Sequence, residues 1–190
     1  MKKVALLFVL LLLGLTPSIA QQGKVADKAA KQTEKAARKA AEEAEEYAMF
    51  ERAVQALKDK EFVLEAERVE FKRGSFVYVT PSTNFVSVNG DKATIQLAFN
   101  VPVSGPNGMG GVTLDGTVSG VVLKEDKKGN ISYEMNVQGA AVLARVTLRM
   151  AKGTNKCTAT VLPNFNSNRI SFMGELYPAG ESTVFKGRSF

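Results

Sequence analysis

The residue types that most often carry chemistry in proteins are nearly absent from this sequence. It contains no histidine and a single cysteine, Cys157. Histidine is the usual general base near neutral pH and a common zinc ligand, so catalytic systems that need it are excluded. Cys157 alternates with Ala159 and Val161 in a β-like pattern, which predicts an inert thiol in the core rather than a reactive one.

Carboxylates are the remaining candidates for acid–base chemistry. Glu65 and Glu67 lie two residues apart in a predicted strand and would therefore share one face. Paired carboxylates can hydrolyse glycosidic bonds, although this pattern is more typical of solvated charges on an edge strand. Asn84, Asp91 and Asn107 do not have the spacing of a calcium loop. We expect no catalytic residue, metal or cofactor.

The most conspicuous loop is the glycine-rich segment 105–111. It lacks the Lys-Ser or Lys-Thr ending of a phosphate-binding loop and precedes a predicted strand rather than a helix. A long hairpin connection is the favoured interpretation, and its tip could form a rim that contacts a ligand or partner. We assign Pro106, Asn107 and Met109 to this rim.

The first 20 residues have the pattern of a secretory signal peptide. Lys2 and Lys3 precede an apolar run over residues 4–15, and small residues lead to a predicted cleavage between Ala20 and Gln21. The run of about 12 residues is shorter than the roughly 20 needed to span a bilayer. We therefore expect a periplasmic or secreted protein whose mature chain has no transmembrane helix.

Residues 21–46 are rich in Ala, Lys and Glu, which predicts a solvated helical spacer. A partner-binding or coiled-coil helix is the alternative, although heptad positions lack large aliphatic residues. Residues 47–60 are predicted to form a helix that docks on the rest of a single β-rich domain, residues 47–190. Its apolar stripe consists of Tyr47, Phe50, Val54 and Leu57.

From residue 61 onward the apolar period falls from 3.6 to 2, which predicts about nine or ten short strands. Asn89-Gly90 is a type I′ hairpin signal, and a shift of apolar parity near Glu67 predicts a β-bulge. The last predicted strand covers residues 182–186. The predicted fold class is α+β, mainly β: an N-terminal helix packed on a curved antiparallel β-sheet or small β-barrel, lipocalin-like in architecture.

The aromatic side chains are expected in the core of this domain. A platform on which sugars stack is the alternative, weakened by the absence of tryptophan. The residues concerned are Tyr78, Tyr133, Tyr177, Phe76, Phe85, Phe99, Phe165 and Phe172.

Several turn and strand segments together resemble a family of small exported Bacteroidetes proteins known only as a domain of unknown function. The resemblance covers roughly residues 48–187 and implies a cell-envelope setting, without implying any catalytic residue. Its marks are Thr83-Asn84-Phe85-Val86 with Gly90-Asp91, Gly105-Pro106-Asn107-Gly108 with Gly110-Gly111-Val112-Thr113, Asp126-Lys127-Lys128-Gly129-Asn130, Val161 with Pro163 and Phe165, and Val184-Phe185-Lys186-Gly187.

The leading functional hypothesis is a non-enzymatic periplasmic binding module for a small apolar ligand or a cell-envelope partner. Curved sheets of this size often enclose a cavity. An outer-membrane β-barrel is an alternative, because such barrels also alternate apolar and polar residues and Phe190 ends the sequence. A carboxylate-only hydrolase is a third hypothesis.

The net charge gives no indication of nucleic-acid binding. Without Lys2 and Lys3 the net charge of +6 falls to +4, which is too small an excess of positive charge to indicate it.

Overall fold

The computed structural model describes residues 19–99, 110–140, 143–164 and 168–189. The chain divides into two compact units, Met1–Glu42 and Glu43–Phe190. Within the described ranges, no helix is both long and apolar enough to cross a membrane. Most of the predicted signal peptide lies outside these ranges, so its cleavage stays a prediction.

One long helix, α1 (Ile19–Asp59), begins in the first unit and ends in the second. From residue 31 to residue 42 every side chain of α1 is exposed. Alanine, lysine and glutamate favour the helical backbone but offer little apolar surface to bury. The assignment of residues 21–46 as a spacer remains a prediction.

The second unit contains nine strands in the described residues, in chain order β1 to β9. Two short 3₁₀ helices, Pro81–Thr83 and Ala179–Glu181, precede β3 and follow β9. The strands are β1 (Glu61–Phe71), β2 (Phe76–Tyr78), β3 (Phe85–Asn89), β4 (Lys92–Leu97), β5 (Val112–Glu125), β6 (Ile131–Gly139), β7 (Leu143–Met150), β8 (Lys156–Pro163) and β9 (Ile170–Pro178).

The strands form one antiparallel sheet that closes on itself. Strands β3 to β9 follow one another in spatial order, β3 pairs with β1, and β9 pairs back with β1. Eight strands thereby form a barrel, which removes the two edges of an open sheet. Strand β2 pairs with the second half of β1, outside the ring. The predicted fold class is confirmed, with the closed barrel as the form that the sheet takes.

The β3–β4 hairpin differs in detail from the predicted type I′ turn. Asn89 pairs with Lys92, so the two loop residues are Gly90 and Asp91 rather than Asn89 and Gly90. Gly90 has a φ of 63°, and among the described non-glycine residues only Lys60 has a positive φ. A type I′ turn needs positive φ at both central residues, whereas type II′ needs it at the first alone. The hairpin therefore has the type II′ pattern.

The inward faces of the strands form one continuous apolar core. Side chains from α1 join it: Phe50 and Leu57 are buried, while Tyr47 is 43% exposed. Arg52 on the same helix lies 3.2 Å from the Glu181 carboxylate, just after β9. The end of α1 thus packs beside the barrel end where β9 finishes. Burial of this core is the main stabilising term, since the single cysteine excludes a disulfide within the chain.

The predicted β-bulge lies on β1 and is confirmed by its pairing with β9. Ala66 pairs with Gly174 and Arg68 with Met173, so Glu67 has no partner on β9. Gly174 permits this close approach, because a Cβ built on it would lie 1.8 Å from the Glu65 carbonyl oxygen. The bulge adds local twist, which helps the sheet to close.

Residues 182–189 have no regular secondary structure and lie against the outside of the barrel, and we call them the C-terminal strap. The prediction of a strand over 182–186 is wrong, because this segment joins no ladder in the described structure. Buried Gln96 holds it instead: the Gln96 amide donates to the Phe185 carbonyl at 2.7 Å and its oxygen accepts from the Gly187 N–H at 2.8 Å. A buried amide needs such partners, and the strap provides them.

Asp115 holds the strap at a second point. Its carboxylate accepts from the Lys186 ammonium group at 2.6 Å and from the Thr94 hydroxyl at 2.6 Å. Burial alone would raise the pKa of Asp115, but hydrogen bonds from Lys186, Thr94 and Ser189 outweigh burial and lower that pKa. The strap is therefore attached to the barrel by side chains of β4 and β5.

The close contact at Gly174 gives the first prediction. Gly174→Ala should lower the free energy of unfolding by about 1–3 kcal/mol, because the added methyl group meets backbone that cannot move freely. Gly180→Ala is the matched control, since a Cβ at Gly180 meets no atom within 4 Å. Urea unfolding of both variants measures the difference. Equal stability of the two variants would contradict the role given to Gly174.

Candidate functional site

Large apolar side chains occupy the described interior of the barrel. Tyr133 and Phe62 are fully buried and meet edge to face, with ring centroids 5.4 Å apart. Met135, Phe172 and Leu176 are each 1% exposed. A small apolar ligand that bound among these side chains would have to move them.

Among the described residues, Tyr133 carries the one buried side-chain polar atom that makes no hydrogen bond. Its hydroxyl is buried and has no hydrogen-bond partner in the part of the chain that the structure describes. Burial raises the pKa of this phenol, which keeps it neutral. Because packed apolar side chains surround it, the hydroxyl alone does not define a binding site.

A groove of about 400 Å³ crosses the outer face of the barrel, and we call it the outer groove. It lies where β1, β2, β8 and β9 meet, over the bulge of β1. Its lining combines hydrogen-bond donors, acceptors and an exposed aromatic ring, a mixture common at binding sites. The lining residues are Glu67, Arg68, Tyr78, Lys156, Cys157, Thr158, Met173, Gly174 and Glu175.

Strand β2 provides the aromatic wall of the groove. Tyr78 is 78% exposed and Phe76 is 49% exposed, and their rings meet edge to face at 5.8 Å. Both residues stand on a three-residue strand that pairs only with β1 among the described strands. The prediction that these two rings lie in the core is wrong, because β2 lies outside the barrel. Large exposed rings are typical of interaction surfaces.

Arg68 joins the aromatic wall to the floor of the groove. Its guanidinium carbon lies 5.1 Å from the centre of the Phe76 ring, and Nη2 lies 2.8 Å from the Met173 sulfur. The carboxylate of Glu70 is 3.8 Å away, and Glu70 also lies 3.9 Å from Arg169. Thioether sulfur is a weak acceptor. The guanidinium therefore keeps donor capacity for an acceptor in the groove.

The opposite wall carries Lys156 and Glu175, which are cross-strand neighbours on β8 and β9. Glu175 accepts a short hydrogen bond from the Tyr177 hydroxyl. Burial raises the pKa of Tyr177 to about 12, aided by the hydrogen bond to Glu175 and by the charges of Glu175 and Glu65. The phenol therefore remains a proton donor to Glu175 at neutral pH.

The structure brings Glu65 together with Glu175 and not with Glu67. The bulge separates Glu65 from Glu67, whereas Glu65 pairs directly with Glu175 across β1 and β9. The Ser182 hydroxyl donates to Glu65 at 2.6 Å. Each facing carboxylate thus accepts a hydroxyl hydrogen bond, and this bond offsets part of the repulsion expected between facing like charges.

No group of three or more acidic or cysteine side chains able to hold a metal ion occurs within the described ranges. Among the described residues, the carboxylates of Glu65 and Glu175 therefore have no third acidic or cysteine side chain beside them that could complete a metal site.

A second, open groove of about 740 Å³ lies beside the β5–β6 turn. Asp126 lines it, but the Asp126 carboxylate already accepts from the Lys128 and Asn130 N–H groups at 2.8 and 2.9 Å. The hydrogen bonds with Asn130 lower the pKa of Asp126. Asp126 thus stabilises its own turn, and no aromatic ring lines this groove. We regard the outer groove as the stronger candidate site.

The rim assigned from the sequence, Pro106, Asn107 and Met109, lies outside the described residues, so that assignment stays a prediction. Cys157 is 4% exposed, and burial raises its pKa to about 12. Sequence reasoning missed Arg68, Lys156 and the facing pair of Glu65 with Glu175. The bulge near Glu67 was the available signal, because it re-aims the side chains that follow it on β1.

Comparison with known proteins relates the chain to one family. The family model described as a domain of unknown function, DUF4251, matches residues 43–176. A crystal structure of a DUF4251 family protein from Bacteroides eggerthii is 46% identical in sequence, with a TM-score of 0.65. The match covers 78% of this chain and 99% of that one. Among curated proteins, no sequence matches this chain.

The buried thiol below the outer groove gives the second prediction. Iodoacetamide should alkylate Cys157 in the folded protein at pH 8 roughly 10³-fold more slowly than in concentrated urea, because the raised pKa leaves little thiolate and burial blocks access. Mass spectrometry of a labelling time course measures both rates. Similar rates in the two conditions would contradict an inert Cys157.

The third prediction concerns alkaline pH. Tyr177 has a pKa of about 12 when folded against an ordinary value of 10.0, so only the unfolded chain ionises this phenol between those values. The free energy of unfolding should therefore fall as the pH rises from 10 to 12. In Tyr177→Phe the free energy of unfolding should fall less over this pH range. Ionisation of Tyr133, whose pKa is also raised by burial, should account for part of the fall that remains. Denaturant unfolding across this range tests it, and an unchanged slope in the variant would contradict it.

Proposed function

The chain belongs to the DUF4251 family, a domain of unknown function, and from this premise we propose that it is a non-enzymatic binding module of the cell envelope. The signal peptide pattern of residues 1–20 supports export to the periplasm. The module binds a cell-envelope partner at the outer groove, on the outside of the barrel.

One observation carries this proposal: the Tyr78 ring stands 78% exposed over a groove that also offers ion-pairing side chains. Leaving a large ring in water forgoes the stabilisation that its burial would give. Arg68 and Lys156 can donate hydrogen bonds to a partner, and Glu67 and Glu175 can accept them. An aromatic anchor surrounded by polar groups is the arrangement of an interaction site.

The buried side chains of the interior favour the partner over the small apolar ligand. A ligand that bound among Tyr133, Phe62 and Met135, each at most 1% exposed, would have to displace them. Displacing packed core side chains costs several kcal/mol, about as much as truncating them. Binding at the outer face needs no such rearrangement.

The outward faces of the barrel give no support to the outer-membrane alternative. A barrel in lipid turns apolar side chains outward, whereas the inward positions of β6 and β7 are the buried apolar ones. The outward positions of these two strands carry Ser132, Glu134, Asn136, Gln138, Arg145, Thr147 and Arg149, with Leu143 as their one apolar residue.

The hydrolase alternative also lacks support from the geometry. Its two candidates, Glu65 and Glu67, are separated by the bulge, and Glu65 accepts a hydrogen bond from Ser182. Acid–base hydrolysis needs two carboxylates that flank one scissile bond. Glu67 instead lies at the groove margin, where it can accept a hydrogen bond from a partner.

The fourth prediction tests the groove directly. Thr158→Arg should fill it and weaken partner binding at least roughly tenfold, equivalent to about 1.4 kcal/mol. Thr147→Arg is the matched control, a half-buried outward threonine on β7 that does not line the groove. The measurement is native mass spectrometry of both variants, purified from the periplasm of the organism that encodes the protein. A partner that stays bound to Thr158→Arg, or is lost equally from both variants, would refute the groove as its site.

A further inference from the structure

Strand β2 leaves a row of backbone groups open on the side away from β1. The Val79 N–H donates to the Glu67 carbonyl at 2.9 Å, and the Phe71 N–H donates to the Ser75 carbonyl at 2.8 Å. Hydrogen-bonded residues alternate along an antiparallel strand. The odd-numbered residues of β2 therefore bond to β1, and the N–H and C=O groups of Phe76 and Tyr78 point to the open side.

These four backbone groups have no hydrogen-bond partner in the part of the chain that the structure describes. They are accessible, because Phe76, Val77 and Tyr78 are all exposed, at 49%, 37% and 78%. An exposed row of this kind is a template for pairing with another strand.

The other open edge of the sheet is protected in a way that β2 is not. Beyond Thr117, which pairs with Lys92, β5 has no strand partner on the β4 side in the described residues. That stretch contains a register shift between Ser119 and Val122, and it ends in charged residues. Bulges and charges prevent edge pairing. Strand β2 has neither a charge, a proline nor a bulge within Phe76–Tyr78, and its length of three residues is the only such protection that it shows.

We propose that β2 pairs with β2 of a second copy of this chain, antiparallel and centred on Val77. In this register Phe76 of each copy faces Tyr78 of the other, and both are hydrogen-bonded pairs. The two copies then form four hydrogen bonds, which satisfy all four open groups on each side. A twofold axis through the facing Val77 residues makes the interface self-complementary.

The side chains suit the same register. Facing residues of an antiparallel pair lie on one face of the sheet, so Phe76 and Tyr78 of both copies form a cluster of four rings. No residue of β2 is charged, and the nearby Lys72 and Arg73 lie in the turn that precedes the strand. Like charges therefore do not face each other across the junction.

A second copy fits this edge because the antiparallel pairing centred on Val77 sets the open backbone groups of Phe76 against those of Tyr78 in both directions. The same pairing brings the exposed rings of the two copies together on one face. Three residues a side are few beside the roughly 20–30 of a standard interface, so the dimer is weak and depends on concentration. Tyr78 lines both the outer groove and this junction, so the Val77→Cys crosslink, which leaves the Tyr78 ring in place, tests dimerisation separately from binding at the groove.

A cysteine at the centre of the junction tests the register. Facing residues of a non-hydrogen-bonded pair have Cα atoms about 4.5 Å apart, which is within the range that a disulfide spans. Val77→Cys should form a disulfide-linked dimer on mild oxidation. The native Cys157 is buried and adds little background. Val122→Cys is the matched control, a valine 43% exposed on the protected edge of β5, and it should crosslink roughly tenfold more slowly.

Sedimentation velocity of the unmodified protein over a concentration series gives an independent test. The wild type should show reversible dimers, and Tyr78→Pro should be monomeric, because proline removes an outward N–H without touching the bonds to β1. Tyr78→Ser keeps this N–H and should retain part of the association. Equal crosslinking of V77C and V122C, or a monomer at every concentration, would overturn the proposal. So would a dimer that persists in Tyr78→Pro, or a wild type that binds only a different polypeptide at this edge.

Discussion

The pairing of β1 with β9 is the constraint on which the rest of the molecule depends. It closes the barrel, and it requires both a bulge at Glu67 and a residue without a side chain at Gly174. The bulge re-aims Arg68 and the residues after it, so the second half of β1 leaves β3 and pairs with β2. One local irregularity therefore produces the closure, the outer groove above it and the exposed aromatic strand beside it.

On the outside of the barrel, the buried side chain of Gln96 is the centre of a network of hydrogen bonds. The Gln96 side chain contacts the Thr83 carbonyl, the Thr113 hydroxyl and two backbone groups of the C-terminal strap. Buried amides with all their hydrogen bonds made can specify one arrangement among several that would bury the same apolar area. An apolar residue at this position would pack well but would not fix the register of the strap.

The sequence allowed the class of fold to be predicted because alternation with period two reports directly on burial. It also predicted the bulge near Glu67, since a bulge shifts apolar parity. It did not predict that Phe76 and Tyr78 are exposed, because an aromatic pair on a short strand has the same pattern whether the strand lies inside or outside the ring. The pairing of Glu65 with Glu175 was not readable either, since register between distant strands depends on the whole closed sheet.

The closure of the barrel also bears on how the chain folds. The two strands that meet at the seam lie roughly 100 residues apart in sequence, and such a distant contact raises the contact order of the domain and slows the closure of the barrel. Hairpins between neighbouring strands can form early and locally, but β1 has no partner on one side until β9 is complete. A chain truncated before β9 should therefore expose the apolar inward face of β1, and aggregation would compete with folding during that interval.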